Sequence, residues 1–415
     1  MAVQYADLSR LDAILKDRPL VEKIQEAMNK ATPFAEKITQ QLTLSGRKGI
    51  FPVAFGVNEG IYARADRGSF GDSKIDQPVL AEVAAKFVYA LFEISGPTMS
   101  ATRDTPGAFE DALALQLENT VDGVKLDMAR MILGDGTGKI CIVSSRTDGS
   151  TLVLKSPFNL TYKSTRPVRN IIRKNQPFDV IDTDGSTVNV SNGTFTSVTH
   201  SSTVGTTVVH DGTDAVPTAA GDFIVRAGNL NKEPEGFFGA VATDTDTAYL
   251  NVARAGQPNW QGVITDAAAG GAATVELDPD MLRDQMDTIM ETSGSAPDLI
   301  VSNYKQRRAI YNLYAPQIRY APMVLPAGLR ENTLAFDDVP VLAERFFPPE
   351  HIGFVSTKTW YHAIDKDVEW IPGTDGRSVL HFRLTADVYV AVLRTYRNFA
   401  CLHPAANGYL YGLTE

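Results

Sequence analysis

From Ala108 to Leu133 apolar residues recur every three or four positions without a break: Phe109, Ala112, Leu113, Leu117, Val121, Val124, Met128, Met131 and Ile132. That period predicts a single helix with one buried face. About 26 residues make a rod of roughly 39 Å, against about 11–12 residues for an ordinary helix. Glu110, Asp111, Glu118, Asp122, Asp127 and Arg130 fall on the other side. Pro106 and Gly107 break the chain just before the run, and Gly134-Asp135-Gly136-Thr137-Gly138 ends it. Gly134 suits the left-handed position that closes a helix, so Gly134, Gly136 and Gly138 form the expected stop.

Upstream the pattern is shorter and then changes period. Leu8, Leu11, Ile14 and Leu15 form one stripe, Val21, Ile24 and Met28 a second, and Phe34 and Ile38 a third. Such short helices need a surface to pack on, either the chain's own core or a neighbouring subunit. From Gly46 the residues read as extended: Ile50 to Phe55, Gly60 to Ala65, then a Gly/Asp/Ser-rich tip from Asp66 to Lys74, and a β-branched and aromatic return from Val83 to Ile94. This predicts a long hairpin with arms of about 12 residues, roughly 40 Å. An isolated hairpin is marginal in water, so it requires a cover. Ser95-Gly96-Pro97 then bends the chain toward the long helix.

Downstream, residues 140–232 are rich in Thr, Ser, Val, Gly and Asp. The pairs Asp148-Gly149, Asp184-Gly185, Asn192-Gly193 and Asp211-Gly212 read as hairpin turns between short strands. A small all-β unit is expected, a sandwich or barrel, with Gly138 and Gly228-Asn229 as its hinges. After Gly236 helices and strands mix. Asp278 caps a helix with Pro279 at its first position and Leu282, Met286, Ile289 and Met290 as its buried stripe. Leu299 to Val301 reads as a strand, and Ser302-Asn303 opens a helix through Leu313. Strands follow at Val339 to Leu342, Ile352 to Val355, Val368 to Ile371 and along Ser378 to Phe399.

Composition narrows the function. The 415 residues are 44% hydrophobic, enough for two or three cores, and the net charge of −10 argues against bulk nucleic-acid binding. Cys141 and Cys401 lie too far apart in sequence for a metal motif or a disulfide framework. The first residues carry no signal-peptide pattern and no apolar run is long enough to span a bilayer, so no membrane partner is expected.

Candidate chemistry fails on spacing and direction. Gly134 to Lys139 looks like a phosphate loop, but such loops precede a helix, and this one follows it, where carbonyls and partial negative charge collect. Asp182-Thr183-Asp184-Gly185 lacks the closing glutamate of a calcium loop. His200, His210, His351, His362, His381 and His403 make no i, i+4 pair, and there is no nucleophile elbow. No catalytic, cofactor or metal residue is expected.

The order of features resembles the major capsid proteins of tailed bacteriophages, whose fold is shared with herpesvirus shells. The resemblance rests on Asn58 to Ala65, Ile94 to Ala101, Gly107-Ala108-Phe109, Leu133 to Gly138 and Glu233-Pro234-Glu235-Gly236-Phe237, with residues 278–320 similar to that family's axial helices and strand. It covers about three quarters of the chain; the β-rich stretch is the variable part. It implies an α+β capsid fold: an N-terminal arm (1–45), an extended hairpin loop and its base (46–100), a spine helix of a peripheral domain (101–139), an inserted β domain (140–232), a mainly axial domain (233–365) and C-terminal strands (366–415). The spine helix buries Phe109, Leu113, Leu117, Val121, Val124 and Met128. Intersubunit contacts are expected at Arg64, Arg67, Phe70, Lys74, Phe87 and Tyr89.

The implied function is self-assembly, as hexamers and pentamers, into an icosahedral head around double-stranded DNA bound without sequence specificity. The implied location is the virion, after synthesis in the host cytoplasm. Scaffolding and portal proteins are implied partners, and a decoration protein a further one. Some relatives weld their shells by lysine–asparagine bonds. Lys74 could supply the lysine, but Gly373 to Tyr396 holds neither Asn nor Glu, so no cross-link is expected. The competing reading is a soluble hydrolase or binding protein with a β-rich accessory domain, which requires a convergent polar pocket.

Overall fold

A computed structural model describes residues 33–38, 40–44, 48–55, 61, 63–66, 78–97, 106–155, 157, 171–201, 205–214, 216–268, 274–314, 334–372, 380–383 and 385–414. The predicted stripes before Phe34 lie outside them, as do Arg67, Phe70 and Lys74 of the hairpin tip.

The long helix runs Pro106–Met131, 26 residues, with Ile132 and Leu133 in the turn that follows. It therefore begins two residues earlier than its apolar pattern suggests, because proline is tolerated in a first turn, where the missing N–H had no partner. Leu117, Val121, Val124 and Met128 are buried, as the 3.6-residue period requires. They pack on the Lys86–Ser95 strand. The expected solvent side is corrected at Arg130, which is buried.

That strand belongs to a five-stranded sheet centred on Val388–Cys401. One edge of Val388–Cys401 pairs antiparallel with Lys86–Ser95, from Val388↔Ser95 to Arg397↔Lys86. The other edge pairs with Trp360–Trp370 and Leu380–Phe382, and Gln41–Thr43 adds to Trp360–Trp370 in parallel. The return arm of the predicted hairpin is thus shared between two sheets. Its start, Val83 and Ala84, ends the strand Val79–Ala84, which pairs with Lys48–Val53 (Lys48↔Ala84 to Val53↔Val79), and the rest, after Ala85, joins the large sheet. Among the described residues the hairpin ladder pairs six residues with six, about 20 Å.

The β-rich stretch closes into a six-stranded barrel in the order Phe223–Arg226, Cys141–Arg146, Thr151–Lys155, Gly205–His210, Val188–Ser201 and Pro177–Ile181. Alternate residues fill it: Val143, Leu152, Leu154, Phe178, Val180, Val190, Phe195 and Val208 are buried, and Phe178 stacks on Phe195 at 4.0 Å. Asp148 and Asp184 fold the turns by accepting from the Ser150 and Ser186 amides. Asn192-Gly193 is not a hairpin turn. Asn192, at φ 51°, makes a bulge inside a 14-residue strand, and Gly193 packs against the Phe178 ring.

A second sheet runs in the order Val263–Asp266, Gly408–Tyr411, Ile352–Val355, Leu299–Ser302, Val339–Ala343 and Ala335–Phe336. The Pro279–Ser293 and Tyr304–Tyr314 helices pack on it around Leu282, Ile289, Ile300, Ile310, Phe354 and Leu410. Asp278 caps the first helix by accepting from the Asp280 amide, and Gly294 ends it at φ 68°. Its stripe differs from expectation: Met290 is exposed, while Gln285 is buried and donates to the Val263 carbonyl at 2.9 Å.

The central core joins these parts. Phe34, on the short Pro33–Lys37 helix, sits edge-on to Phe237 and Trp360 at 6.2 and 6.0 Å. Two titratable groups hold this helix. Glu344 accepts from the Phe34 amide at 3.4 Å and the Arg345 amide at 3.0 Å, and burial raises its carboxyl from 4.5 to about 7. His362 lies 3.2 Å from the Ala35 carbonyl, and burial lowers it from 6.5 to about 4. The signs oppose each other. Stability from Glu344 is fully present below about 4.5 and is lost as pH rises through about 7. Stability from His362 is present above 6.5 and is lost as pH falls toward about 4. Glu344→Gln should therefore gain up to about 3 kcal/mol over the parent at pH 8.5 and nothing comparable at pH 5. Denaturant unfolding at both pH values measures this; an equal effect at both would refute the buried-carboxylate account.

Candidate intersubunit surface

The helix stop is built from two chain segments. Gly136 and Gly138 take positive φ, +81° and +90°; Gly134, expected there, does not. A helix leaves its last carbonyls without intrahelical partners. Here the amides of Ile132, Leu133 and Gly134 serve the Met128, Arg130 and Met131 carbonyls, and the incoming Phe237–Ala240 turn serves the carbonyls just beyond: Gly236 and Gly239 amides reach the Gly134 carbonyl, Phe237 the Ile132 carbonyl at 2.9 Å, and Phe238 the Leu133 carbonyl. A Cβ on Gly236 would overlap the Ile132 and Met131 carbonyls. This explains the Glu233-Pro234-Glu235-Gly236-Phe237 element: it turns the chain tightly onto the helix end. Beside it the entry to and exit from the barrel touch, with the Asn231 amide donating to the Thr137 carbonyl at 3.0 Å.

An ion pair locks the junction. Arg130 donates to both carboxylate oxygens of Glu233, at 2.6 and 2.7 Å, and to the Lys139 carbonyl at 3.2 Å. Both side chains are about 95% buried. Burial pulls the Arg130 guanidinium down, but Glu233 and then Asp127 outweigh it and hold the group above its ordinary value. Asp127 also pairs with Arg226 of the barrel at 2.7 Å.

The surface that a single chain leaves bare lies on the Lys86–Ser95 strand and the hairpin base. On the strand Val88, Ala90, Phe92 and Ile94 face the helix side, while Phe87, Tyr89 and Leu91 are 54, 52 and 59% exposed. Both faces are apolar, as in strands buried on both sides, yet one is open. Phe87 meets Tyr396 edge-on at 4.8 Å, and the Tyr89 and Tyr396 hydroxyls lie 3.3 Å apart, a contact that raises the Tyr89 phenol. On the hairpin base Ile50 and Leu80 are each 57% exposed, and Ile61 beyond it is 88% exposed. Of the six expected contact residues, Phe87 and Tyr89 share this strand. Arg64 is exposed near Ile61 in sequence, and Arg67, Phe70 and Lys74 fall outside the described residues. Leu91, Ile50 and Leu80 were missed by sequence reasoning; for Leu91 the signal was the run Phe87 to Phe92, apolar at both parities.

Beneath the strand a cleft of about 980 Å³ opens between it, the long helix and the barrel's edge. Among the described residues no cluster of His, Cys, Asp and Glu could hold a metal, and no helix is long and apolar enough to cross a membrane. Cys141 and Cys401 are buried thiols raised by burial, Cys401 to about 12.

Solved structures share this architecture. The chain matches the cyanophage A-1(L) capsid over 92% of its own length and 93% of that chain, with a TM-score of 0.57 at 9% identity. This likeness shows the fold: the chain has the α+β phage capsid fold. A gene-transfer-agent capsid (10% identity, 91% and 89% coverage, TM-score 0.47) and the SrpI encapsulin of Synechococcus elongatus PCC 7942 (10% identity, 92% and 88%, TM-score 0.42) are more distant. No protein-family model and no curated protein matches the sequence.

Proposed function

We propose that this chain is the major capsid protein of a tailed bacteriophage and assembles into an icosahedral head that encloses the DNA genome. The observation that carries the reading is the capsid fold spanning over nine-tenths of both chains. The exposed apolar residues of the strand, Phe87, Tyr89 and Leu91, and of the hairpin base, Ile50 and Leu80, support it, because clustered apolar surface marks an interaction site. In this reading Pro106–Met131 is the spine helix of a peripheral domain, and residues 140–232 are an inserted β domain. The two-sheet hairpin is the base of a loop gripping the adjacent subunit, and residues 233–365 cluster at the five-fold and quasi-six-fold axes. Each intersubunit contact is modest and their closed sum is large. Hexamers and pentamers of the chain, a scaffolding protein, a portal and a decoration protein complete the particle, and DNA is held without sequence recognition. The role is structural rather than catalytic: the strongly shifted groups Tyr249, His351 and Cys401 owe their shifts first to burial in the core.

Negative-stain microscopy of the purified chain tests this. Uniform shells or ring-shaped capsomers are expected; a persistent monomer at high concentration overturns it. Deleting Arg67 to Gln77 should leave unfolding unchanged within about 1 kcal/mol, as for surface changes, while reducing closed shells at least tenfold. Normal shells from that deletion would remove the hairpin from the mechanism.

A further inference from the structure

The cleft beside the long helix has properties that shell closure alone does not explain. Every residue from Ala85 to Leu91 lines it in succession. A strand that offered only a face would contribute alternate residues; a consecutive run means that it presents its edge. Among the described residues Lys86–Ser95 pairs on one side only, with Val388–Cys401. The other side is a row of backbone donors and acceptors, the feature that invites strand addition.

The facing wall is one stripe of the helix: Thr120, Gly123, Val124 and Asp127, at helical spacing. Gly123 stands in the interior of a 26-residue helix, where glycine is disfavoured, and an added Cβ there meets nothing within 4 Å. The glycine opens the cleft rather than relieving a clash within the chain.

The charge is opposite to that of the protein. The chain carries −10, yet the cleft is lined by Lys86, Arg173, Lys174, Arg226 and Lys232 against only Asp127 and Glu233. Both acids are engaged, Asp127 with Arg226 and Glu233 with Arg130. Lys86 and Lys232 reach backbone carbonyls, of Asn231 and Gly228, and neither these two nor Arg173 and Lys174 has an ion-pair partner among the described residues.

We propose that the cleft takes an extended, acidic polypeptide segment from a separate chain. It adds as a strand to the Lys86–Leu91 edge, with carboxylates toward Arg173, Lys174 and Lys232 and one backbone stretch against Gly123. Six residues at about 3.3 Å each match this edge, roughly 20 Å. The proposal goes beyond shell formation and stands apart from it.

The test uses the full chain and a fluorescein-labelled seven-residue peptide alternating Val and Glu, with a Val/Lys peptide as control, read by polarisation at two salt concentrations. The acidic peptide should bind at least tenfold more tightly than the basic one and weaken with salt. Arg173→Glu/Lys174→Glu and, separately, Gly123→Leu should each reduce binding at least tenfold. Leucine has the higher helix propensity, so Gly123→Leu should melt no lower than the parent by circular dichroism. Undiminished binding in a folded Gly123→Leu overturns the proposal, as does no preference for the acidic peptide. Tighter binding of a duplex oligonucleotide lost in the same variants would assign the cleft to nucleic acid instead, and self-association lost in Gly123→Leu would assign it to a second copy. Shells that still form from Gly123→Leu, without peptide binding, keep the assembly reading and this one separable.

Discussion

Glu233→Ala should destabilise the folded chain by about 3–5 kcal/mol, the cost of leaving one member of a buried ion pair without its partner. Arg130 would keep its charge inside the junction, with only Asp127 at 3.6 Å and the Lys139 carbonyl to compensate. The junction ties three things together: the end of the long helix, the two connections of the barrel and the turn into Phe237–Ala240. Glu233→Gln keeps an acceptor and the shape, so its cost should be smaller. Arg130→Met/Glu233→Leu removes both charges and should recover much of the loss, since buried pairs exchanged for apolar packing are often neutral. Guanidinium unfolding of the three variants measures the series. A Glu233→Ala cost below about 1 kcal/mol, or a double variant as unstable as the single, would show that the pair does not hold the junction.

Local patterns carried the sequence reading where one element had one buried face. Leu117, Val121, Val124 and Met128 repeat at the helical period, and Asp278-Pro279 marks a cap by chemistry that needs no distant partner. The reading lost accuracy where a distant segment decided the outcome. Arg130 sat on the polar side of the helix pattern, but Glu233, 103 positions away, draws it inside. Asn192-Gly193 has the composition of a turn and becomes a bulge because Phe178 packs above Gly193. The return arm looked like one strand, and the break at Ala85 follows from two different partners, Lys48–Val53 and Val388–Cys401. The surface itself was half legible. Phe87 and Tyr89 stood out as aromatics, whereas Leu91, Ile50 and Leu80 look like core residues until the fold leaves them uncovered. The cleft was not legible at all, because the helix, strand and barrel residues that line it lie far apart in sequence.

The exposed apolar row separates folding from assembly most sharply. Ile50→Asp/Leu91→Asp changes two side chains that are each more than half exposed, on strands whose opposite faces carry the packing. Within one chain the cost should be limited to the poor strand propensity of aspartate, about 1 kcal/mol per site. Between copies the same carboxylates would have to be desolvated without a partner at every equivalent contact, at several kcal/mol each. In the proposed shell the contact would repeat in every subunit, so a penalty modest for one pair becomes prohibitive for closure. The expected result is a folded chain with its circular dichroism retained, sedimenting as monomer or small oligomer, and shell yield down at least a hundredfold. Ile50→Val/Leu91→Val, which keeps the surface apolar, should assemble. Shells formed by the aspartate variant at parental yield would show that this face is not buried in the particle and would move the subunit contact elsewhere.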